Sequence, residues 1–270
     1  MTFFLAILLL AAAAQQAAEL KVASLNCRLY FDPRIAHAGQ VASQHPLTPE
    51  QYEAKTINLA TLVTGYDAVA LAETGGPTEI AHLAAATGTE WRHVPGRDHY
   101  TGEEVGVLVG RRWRAGPAVR VPSLHLLSKH ALVGLVSRED GSRAAILVVH
   151  HVRPSSNGTK HAAELAAVRA WALAWLAENP GCTLVVAGDT NDTGSKPGSS
   201  IYGFGAEIAD QLGFAPTHVE NLLLDRIVLA GAGHFAGGDI LRPPYARRPN
   251  QLALALWTDH FRLAAIIETK

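Results

Sequence analysis

The chain has 270 residues, 48% of them hydrophobic and 17% charged, with 24 Gly and 14 Pro. That composition excludes a disordered or low-complexity protein and suits a turn-rich globular fold that buries about three quarters of its unfolded surface. Lys and Arg total 23 against 24 Asp and Glu, for a net charge of -1, so no global positive field draws the chain onto nucleic acid or an anionic membrane.

Phe3 to Ala14 is an apolar run of 12 residues. A bilayer span needs about 17–25, so the run suits a signal-peptide core, with Ala12-Ala13-Ala14 as the small residues before cleavage. No Lys or Arg precedes it, and a buried first helix is the alternative. Residues 1–18 are therefore expected to be a leader and residues 19–270 one exported domain. Leu20 to Leu25 reads as a strand. Thr48-Pro49-Glu50-Gln51 is a helix start, with a capping Thr, Pro at the first position and Gln three residues on. Ile57, Leu59, Leu62 and Val63 continue it at helical spacing. Asp67 to Ala72 is a strand ended by Glu73-Thr74-Gly75-Gly76, and a helix spans Pro77 to Ala86.

Val105 to Val109, Ala131 to Val136 and Ala144 to Val149 are further strands, the last two joined by the turn Glu139-Asp140-Gly141. Thr159 to Glu178 is an amphipathic helix with Leu165, Val168, Trp171, Leu173 and Trp175 as its apolar members. Thr183 to Ala187, Leu222 to Leu229 and Phe261 to Ile267 are the remaining strands. With strands outnumbering helices and several close enough to form hairpins, mixed sheets with outer helices fit better than a doubly wound parallel sheet. Cys27 follows one strand and Cys182 precedes another. If those strands run the same way, the thiols lie roughly 20 Å apart, and free cysteines are expected.

Ionisable and amide side chains gather where apolar strands stop: Asn26, Glu73, His150-His151, Asp189 with Asn191, and Asp259-His260. Asp225 instead lies within the apolar run L-L-L-D-R-I-V-L, where a carboxylate is costly unless paired. Singly, each is an ordinary turn or cap residue. Together they form a donor set of hard oxygens, suited to Mg²⁺, Mn²⁺ or Ca²⁺. No Cys-x-x-Cys, His-Glu-x-x-His, Gly-x-Ser-x-Gly or glycine-rich phosphate loop is present. A hard cation, a few carboxylates and two imidazoles suit phosphate ester hydrolysis.

The segments Lys21 to Asn26, Asp67 to Glu73, Val148 to Pro154, Val185 to Asn191, Asp225 to Val228 and Thr258 to His260, in that order, resemble the endonuclease/exonuclease/phosphatase superfamily, which includes pancreatic-type deoxyribonuclease. Gly188-Asp189-Thr190-Asn191 and Thr258-Asp259-His260 are the most specific pieces. The resemblance implies an α/β fold, a four-layer α-β-β-α sandwich of two mixed sheets with helices outside. It implies Glu73 as principal metal ligand, with Asn26 and Asp259 near the metal. Asp189 and Asn191 would orient the attacking water. His260, paired with Asp225, would contact the scissile phosphate. His151, which precedes Val152-Arg153-Pro154, would be the second imidazole, supported by Glu104 or its neighbour Glu103. Ala72 and Thr190 depart from the Gln and the aromatic or Met often found there, and neither change removes a catalytic group.

The substrate class stays open between nucleic acid and another phosphodiester, since the fold alone does not choose. Arg242, Arg247 and Arg248 with Tyr245, and Arg153, are candidates for holding substrate phosphate. The expected protein is an exported, monomeric, divalent-metal-dependent phosphodiesterase, with nuclease as the leading class. A lipid or small-molecule phosphoesterase and an inactive binding module on the same fold are the alternatives. Asn157-Gly158-Thr159 and Asn191-Asp192-Thr193 are formal glycosylation acceptors, and a glycan on Asn191 would block the site, which favours a bacterial host and release to the periplasm or medium.

Overall fold

Strands that are apolar on both faces need cover on both, and the chain supplies it with a facing sheet on one side and helices on the other. The computed structural model describes residues 18–37, 46–95, 101–123, 128–151, 158–192, 206–207, 211–212, 215–218, 220, 222–244 and 256–269. The leader up to residue 17, Arg153, Tyr245, Arg247 and Arg248 lie outside them. In chain order the strands are β1 (Glu19–Tyr30), β2 (Ala68–Thr74), β3 (Glu90–His93), β4 (Glu104–Val109), β5 (Trp113–Arg120) and β6 (Lys129–Ser137). They continue with β7 (Arg143–His150), β8 (Thr183–Asp189), β9 (Ala206–Glu207), β10 (Asp225–Gly231), β11 (His234–Leu241) and β12 (Arg262–Glu268). Helix α1 (Pro49–Val63) precedes β2, α2 (Pro77–Thr87) follows it, and α3 (Gly158–Glu178) links β7 to β8.

Two six-stranded sheets result, β11-β12-β1-β2-β4-β3 and β5-β6-β7-β8-β10-β9. Both are mixed: β1 with β2 and β7 with β8 are parallel, while the other pairs are antiparallel. Val22, Ala70 and Val107 of the first sheet meet Val133, Val148, Val185 and Ile227 of the second in the central core. Alternate residues face outward. Leu25, Val69 and Leu71 pack under Leu59, Leu62, Ile80 and Leu83 of α1 and α2, and Leu147, Val149 and Val186 pack under Val168 and Ala172 of α3. This is the expected α-β-β-α sandwich. Among the described residues no helix is long and apolar enough to cross a membrane. Both cysteines are free and buried.

The expected capping box forms at α1. The Thr48 hydroxyl accepts from the Gln51 N–H at 3.2 Å, and the Gln51 side chain accepts from the Thr48 N–H at 2.8 Å. Four strands were not expected from the sequence, β3, β5, β9 and β11, and each is an edge strand or the last strand of its sheet. An edge strand needs pairing on one side only and can carry breakers. β5 holds Gly116-Pro117 at a bulge, and β11 alternates in exposure through a Gly-Gly pair and a bulge of its own. Asp225 also differs from its expected place. It is the first residue of β10, opposite Asp189 of β8, not an interior residue of a longer strand.

Candidate active site

The two parallel strand pairs end on the same side of the sandwich, and the residues at those ends converge on one cavity of about 370 Å³. Backbone geometry marks the place. Among the described residues, the non-glycine residues with positive φ are Arg28 (47°), Leu29 (55°), Glu73 (53°) and Asn191 (51°). All four line this cavity. Left-handed conformations cost energy for side chains with a Cβ and persist where the surroundings enforce them, commonly at functional sites. Here they coincide with breaks in the ladders: β1 and β2 lose register between Asn26 and Tyr30, and β2 and β4 between Leu71 and Thr74. The irregularity turns the Glu73 carboxylate toward the second sheet.

Asn26 joins the sheets. Its Nδ2 donates to Glu73 Oε1 at 2.7 Å and to Asp189 Oδ2 at 2.9 Å. Its Oδ1 accepts from the Arg28 N–H at 2.8 Å. Asn191 is held by donating its backbone N–H to Asp189 Oδ1 at 2.8 Å and its Nδ2 to the His151 carbonyl at 2.6 Å. Across the cavity His260 Nδ1 lies 2.7 Å from Asp225 Oδ2. That leaves His260 Nε2 facing the site, 3.9 Å from both Asp189 and Asp259 carboxylate oxygens. Arg28 Nε donates to Asp259 Oδ2 at 2.8 Å, and the His218 ring stands edge-on to His260 at 4.8 Å.

The electrostatics follow from burial and like charge. Burial, then the nearby Glu103 charge, push Glu73 up to about 7 against the pull of His260 and Asn26. Burial also lifts Asp189 to about 7, with Asp225 and Glu73 adding to it and His260 opposing. Burial pulls His260 down, but the Asp225 charge and hydrogen bond, with Asp189 and Asp259, outweigh it and raise the imidazole to about 10. Asp259 is the opposite case. Burial raises it, yet hydrogen bonding to His218 and the charges of His260 and Arg28 hold it well below the usual carboxylate range.

Whether these residues fit a divalent cation is decided by what they lack. A half-buried carboxylate, Glu73, and a fully buried one, Asp189, face each other across one amide. One donor atom from each, with one from His150, falls within 4.8 Å of the others. Oxygen-rich donors held this close suit a hard cation, which would neutralise them and return both to the ionised form. The fit is good for Glu73 and Asp189. Asn26 is oriented otherwise than expected of a ligand, because it turns its nitrogen to the carboxylates and clamps them. Asp259 is engaged by Arg28.

Of the residues anticipated from sequence, Asn26, Glu73, Asp189, Asn191, Asp225, Asp259 and His260 are gathered at this one place. The two histidines at the end of β7 both line the cavity but lie in it differently. His150, not His151, projects between the sheets, its Nε2 3.8 Å from Glu73 Oε1. Strand alternation is the reason: Val148 and His150 face the opposite sheet, whereas Val149 and His151 face α3, where His151 packs against His130 and His161. His151 also lines the cavity, and its main chain serves the site, donating to the Asp189 carbonyl at 2.9 Å and accepting from Asn191. Burial keeps both imidazoles well below the ordinary histidine range. Glu103 lines the cavity, while Glu104 pairs with His93. Arg242 is exposed and lies over the Phe261 ring at 5.1 Å, outside the cavity lining.

Arg28 and His218 were missed. Arg28 follows Asn26 by two residues at a strand end, a signal of the same kind as the others. His218 sits in a segment with no strand pattern to flag it. It reaches the site through an isolated bridge to His260.

No protein-family model matches the sequence, and no curated protein does either. Solved structures do match in shape. An endonuclease/exonuclease/phosphatase family protein from Bacteroides thetaiotaomicron superposes with a TM-score of 0.68 at 13% identity, covering 94% of this chain and 99% of that one. The human Nocturnin catalytic domain, with bound sulfate, gives 0.65 at 16% identity over 93% and 94%. D. rerio TDP2 complexed with a single-strand DNA product gives 0.63 at 15% identity over 93% and 100%. The chain therefore has the endonuclease/exonuclease/phosphatase fold.

Proposed function

We propose that this chain, with its endonuclease/exonuclease/phosphatase fold, is a divalent-metal-dependent phosphodiester hydrolase, and that its substrate is a nucleic acid. The observation that carries the reading is the coincidence, at one cavity, of the Glu73–Asn26–Asp189 carboxylate clamp with the Asp225–His260 pair. Glu73 and Asp189 would hold the cation, Mg²⁺ or in its place Mn²⁺ or Ca²⁺. When bound, it supplies positive charge against the phosphoryl oxygens.

The remaining work falls to the chain's own residues. Asp189, once ionised, accepts a proton from a water at the cavity floor, and Asn191, anchored by two hydrogen bonds, fixes a second contact for that water or a phosphoryl oxygen. His260 is held protonated by Asp225, so its Nε2–H donates to a non-bridging or leaving oxygen. Arg28 lies at the same wall and adds the second fixed cation of the described lining. The acidic lining explains how a chain of net charge -1 could still bind a polyanion: a metal and local cations reverse the sign where it matters.

The fold supports this reading through its likeness to a protein solved with a DNA product. Export by the Phe3 to Ala14 leader and a monomeric state belong to the same proposal. Mass spectrometry of the secreted chain tests the first and sedimentation the second. The function is tested by assaying single-stranded and plasmid DNA, RNA, sphingomyelin and bis-p-nitrophenyl phosphate with Mg²⁺, Mn²⁺, Ca²⁺ and chelator. Cation-dependent nicking or shortening of nucleic acid is expected. Lipid cleavage without nucleic-acid cleavage would replace the substrate assignment, and turnover in excess chelator would overturn the role of the metal.

A further inference from the structure

Behind the wall of the cavity, the start of β6, the residue after β7 and the first turns of α3 bring together a second set of side chains: His130, His151 and Glu164. One donor atom from each falls within 4.8 Å of the others. The three are 4%, 0% and 2% exposed. His130 Nε2 is 3.6 Å from Glu164 Oε1, and the His130 and His151 rings are 5.0 Å apart. His161 lies three residues before Glu164, on the same helix face. Its ring stands edge-on to His151 at 5.7 Å.

The tautomer of His130 gives this cluster its meaning. Its Nδ1 faces the Pro122 carbonyl at 3.3 Å, and a carbonyl can only accept, so the proton is on Nδ1. Nε2 then carries a lone pair, and among the described residues it has no hydrogen-bond partner. A lone pair 3.6 Å from a carboxylate oxygen sets two acceptors face to face inside the protein, an arrangement that a cation between them would convert from repulsive to attractive. A carbonyl on the far nitrogen is also how metal-bound imidazoles are commonly oriented.

The geometry points to a zinc site held by His130 Nε2, an imidazole nitrogen of His151 and the Glu164 carboxylate, separate from the catalytic cation. Two imidazoles and one carboxylate are zinc donors, whereas the oxygen-rich catalytic set favours a harder ion. Zinc bonds of about 2.0–2.2 Å in a tetrahedron place ligand atoms about 3.3–3.6 Å apart. The His130–Glu164 separation, 3.6 Å, is already close, and the remaining ligand-atom pairs, all within 4.8 Å, need only a side-chain adjustment. Such an ion would tie α3 to the second sheet. It would also fix His151, whose main chain holds Asp189 and Asn191.

The test uses the full chain and reads the metal itself, so it does not depend on the hydrolase reading. Zinc content is measured after reconstitution and dialysis, and Co²⁺ is titrated to follow the visible bands of a tetrahedral site. Both are done for the wild type, for Glu73→Gln/Asp189→Asn, which disables the catalytic set, and for Glu164→Gln. One zinc per chain is expected in the first two. Glu164→Gln should weaken binding at least about a hundredfold, since even outer-shell changes cost 10–100-fold. Absence of zinc from the reconstituted wild type would overturn the site. So would cobalt bands that vanish in Glu73→Gln/Asp189→Asn. If Glu164→Gln does not fold, the comparison of wild type with the double variant decides alone.

Discussion

Replacing Asp225 by Asn keeps the shape of the Asp225–His260 contact and removes its charge. The contact is 2.7 Å long between residues 0% and 4% exposed. Removing one partner of a buried ion pair costs about 3–5 kcal/mol. At 1.36 kcal/mol per pKa unit that is about two to four units, enough to bring His260 from about 10 into the neutral range. The sign is fixed by the direction of the shift. His260 is raised above its unfolded value, so the pair's contribution to stability is complete below about pH 6.5 and is lost as pH rises through about 10. In Asp225→Asn this contribution disappears, and the imidazole is mostly neutral at pH 8. If the imidazolium donates to the phosphate, kcat/KM at pH 8 should fall by about 2- to 50-fold, the loss of the protonated fraction after a shift of two to four units, and recover toward pH 6. The assay is bis-p-nitrophenyl phosphate hydrolysis across pH 5.5–9 with saturating Mg²⁺ or Mn²⁺, alongside thermal unfolding. A variant with wild-type kcat/KM and an unshifted pH profile would refute the reasoning.

Three further outcomes are expected. Glu73 and Asp189 are both raised to about 7, by burial first and then by neighbouring carboxylates (Glu103 for the one, Asp225 and Glu73 for the other), so the metal-free protein should lose stability as pH rises from about 4 through 7. The Tm gain from saturating Mg²⁺ should therefore be larger at pH 8 than at pH 5.5 and absent in Glu73→Gln, as read by scanning fluorimetry. Gly188 has φ +146°, and a Cβ there would sit 1.9 Å from the Val149 carbonyl oxygen, so Gly188→Ala should force β7 and β8 apart and yield insoluble protein or a collapse in Tm. Thr48→Ala removes the capping box of α1 and should cost about 1 kcal/mol in denaturant unfolding with activity unchanged.

How much of this was legible in the sequence depended on which side of a strand a residue had to satisfy. Central strands announce themselves because both faces are buried, so the polar residues that end them, Asn26, Glu73 and Asp189, stood out against apolar runs. Edge strands such as β5 and β11 carry glycine, proline and exposed positions, and nothing in their pattern demands a strand. The choice between His150 and His151 was a question of phase along β7. Spacing to Pro154 suggested the second, while alternation from the buried Val148 placed the first between the sheets. The left-handed turn at Glu73 was not legible at all, since nothing local favours it. It is imposed by Asn26, by the Leu29 N–H donating to Glu73 Oε2 at 3.2 Å, and by the register breaks on both sides.

The most direct measurement is turnover of a single-stranded DNA oligonucleotide and of bis-p-nitrophenyl phosphate by wild type, Glu73→Gln, Asp189→Asn and His260→Ala, each shown by circular dichroism to be folded. Cation-dependent hydrolysis by the wild type, abolished by chelator and reduced by about 10² or more in each variant, is the expected result. Undiminished turnover in folded His260→Ala or Glu73→Gln, or hydrolysis that continues in chelator, would contradict a metal-dependent phosphodiesterase centred on this cavity.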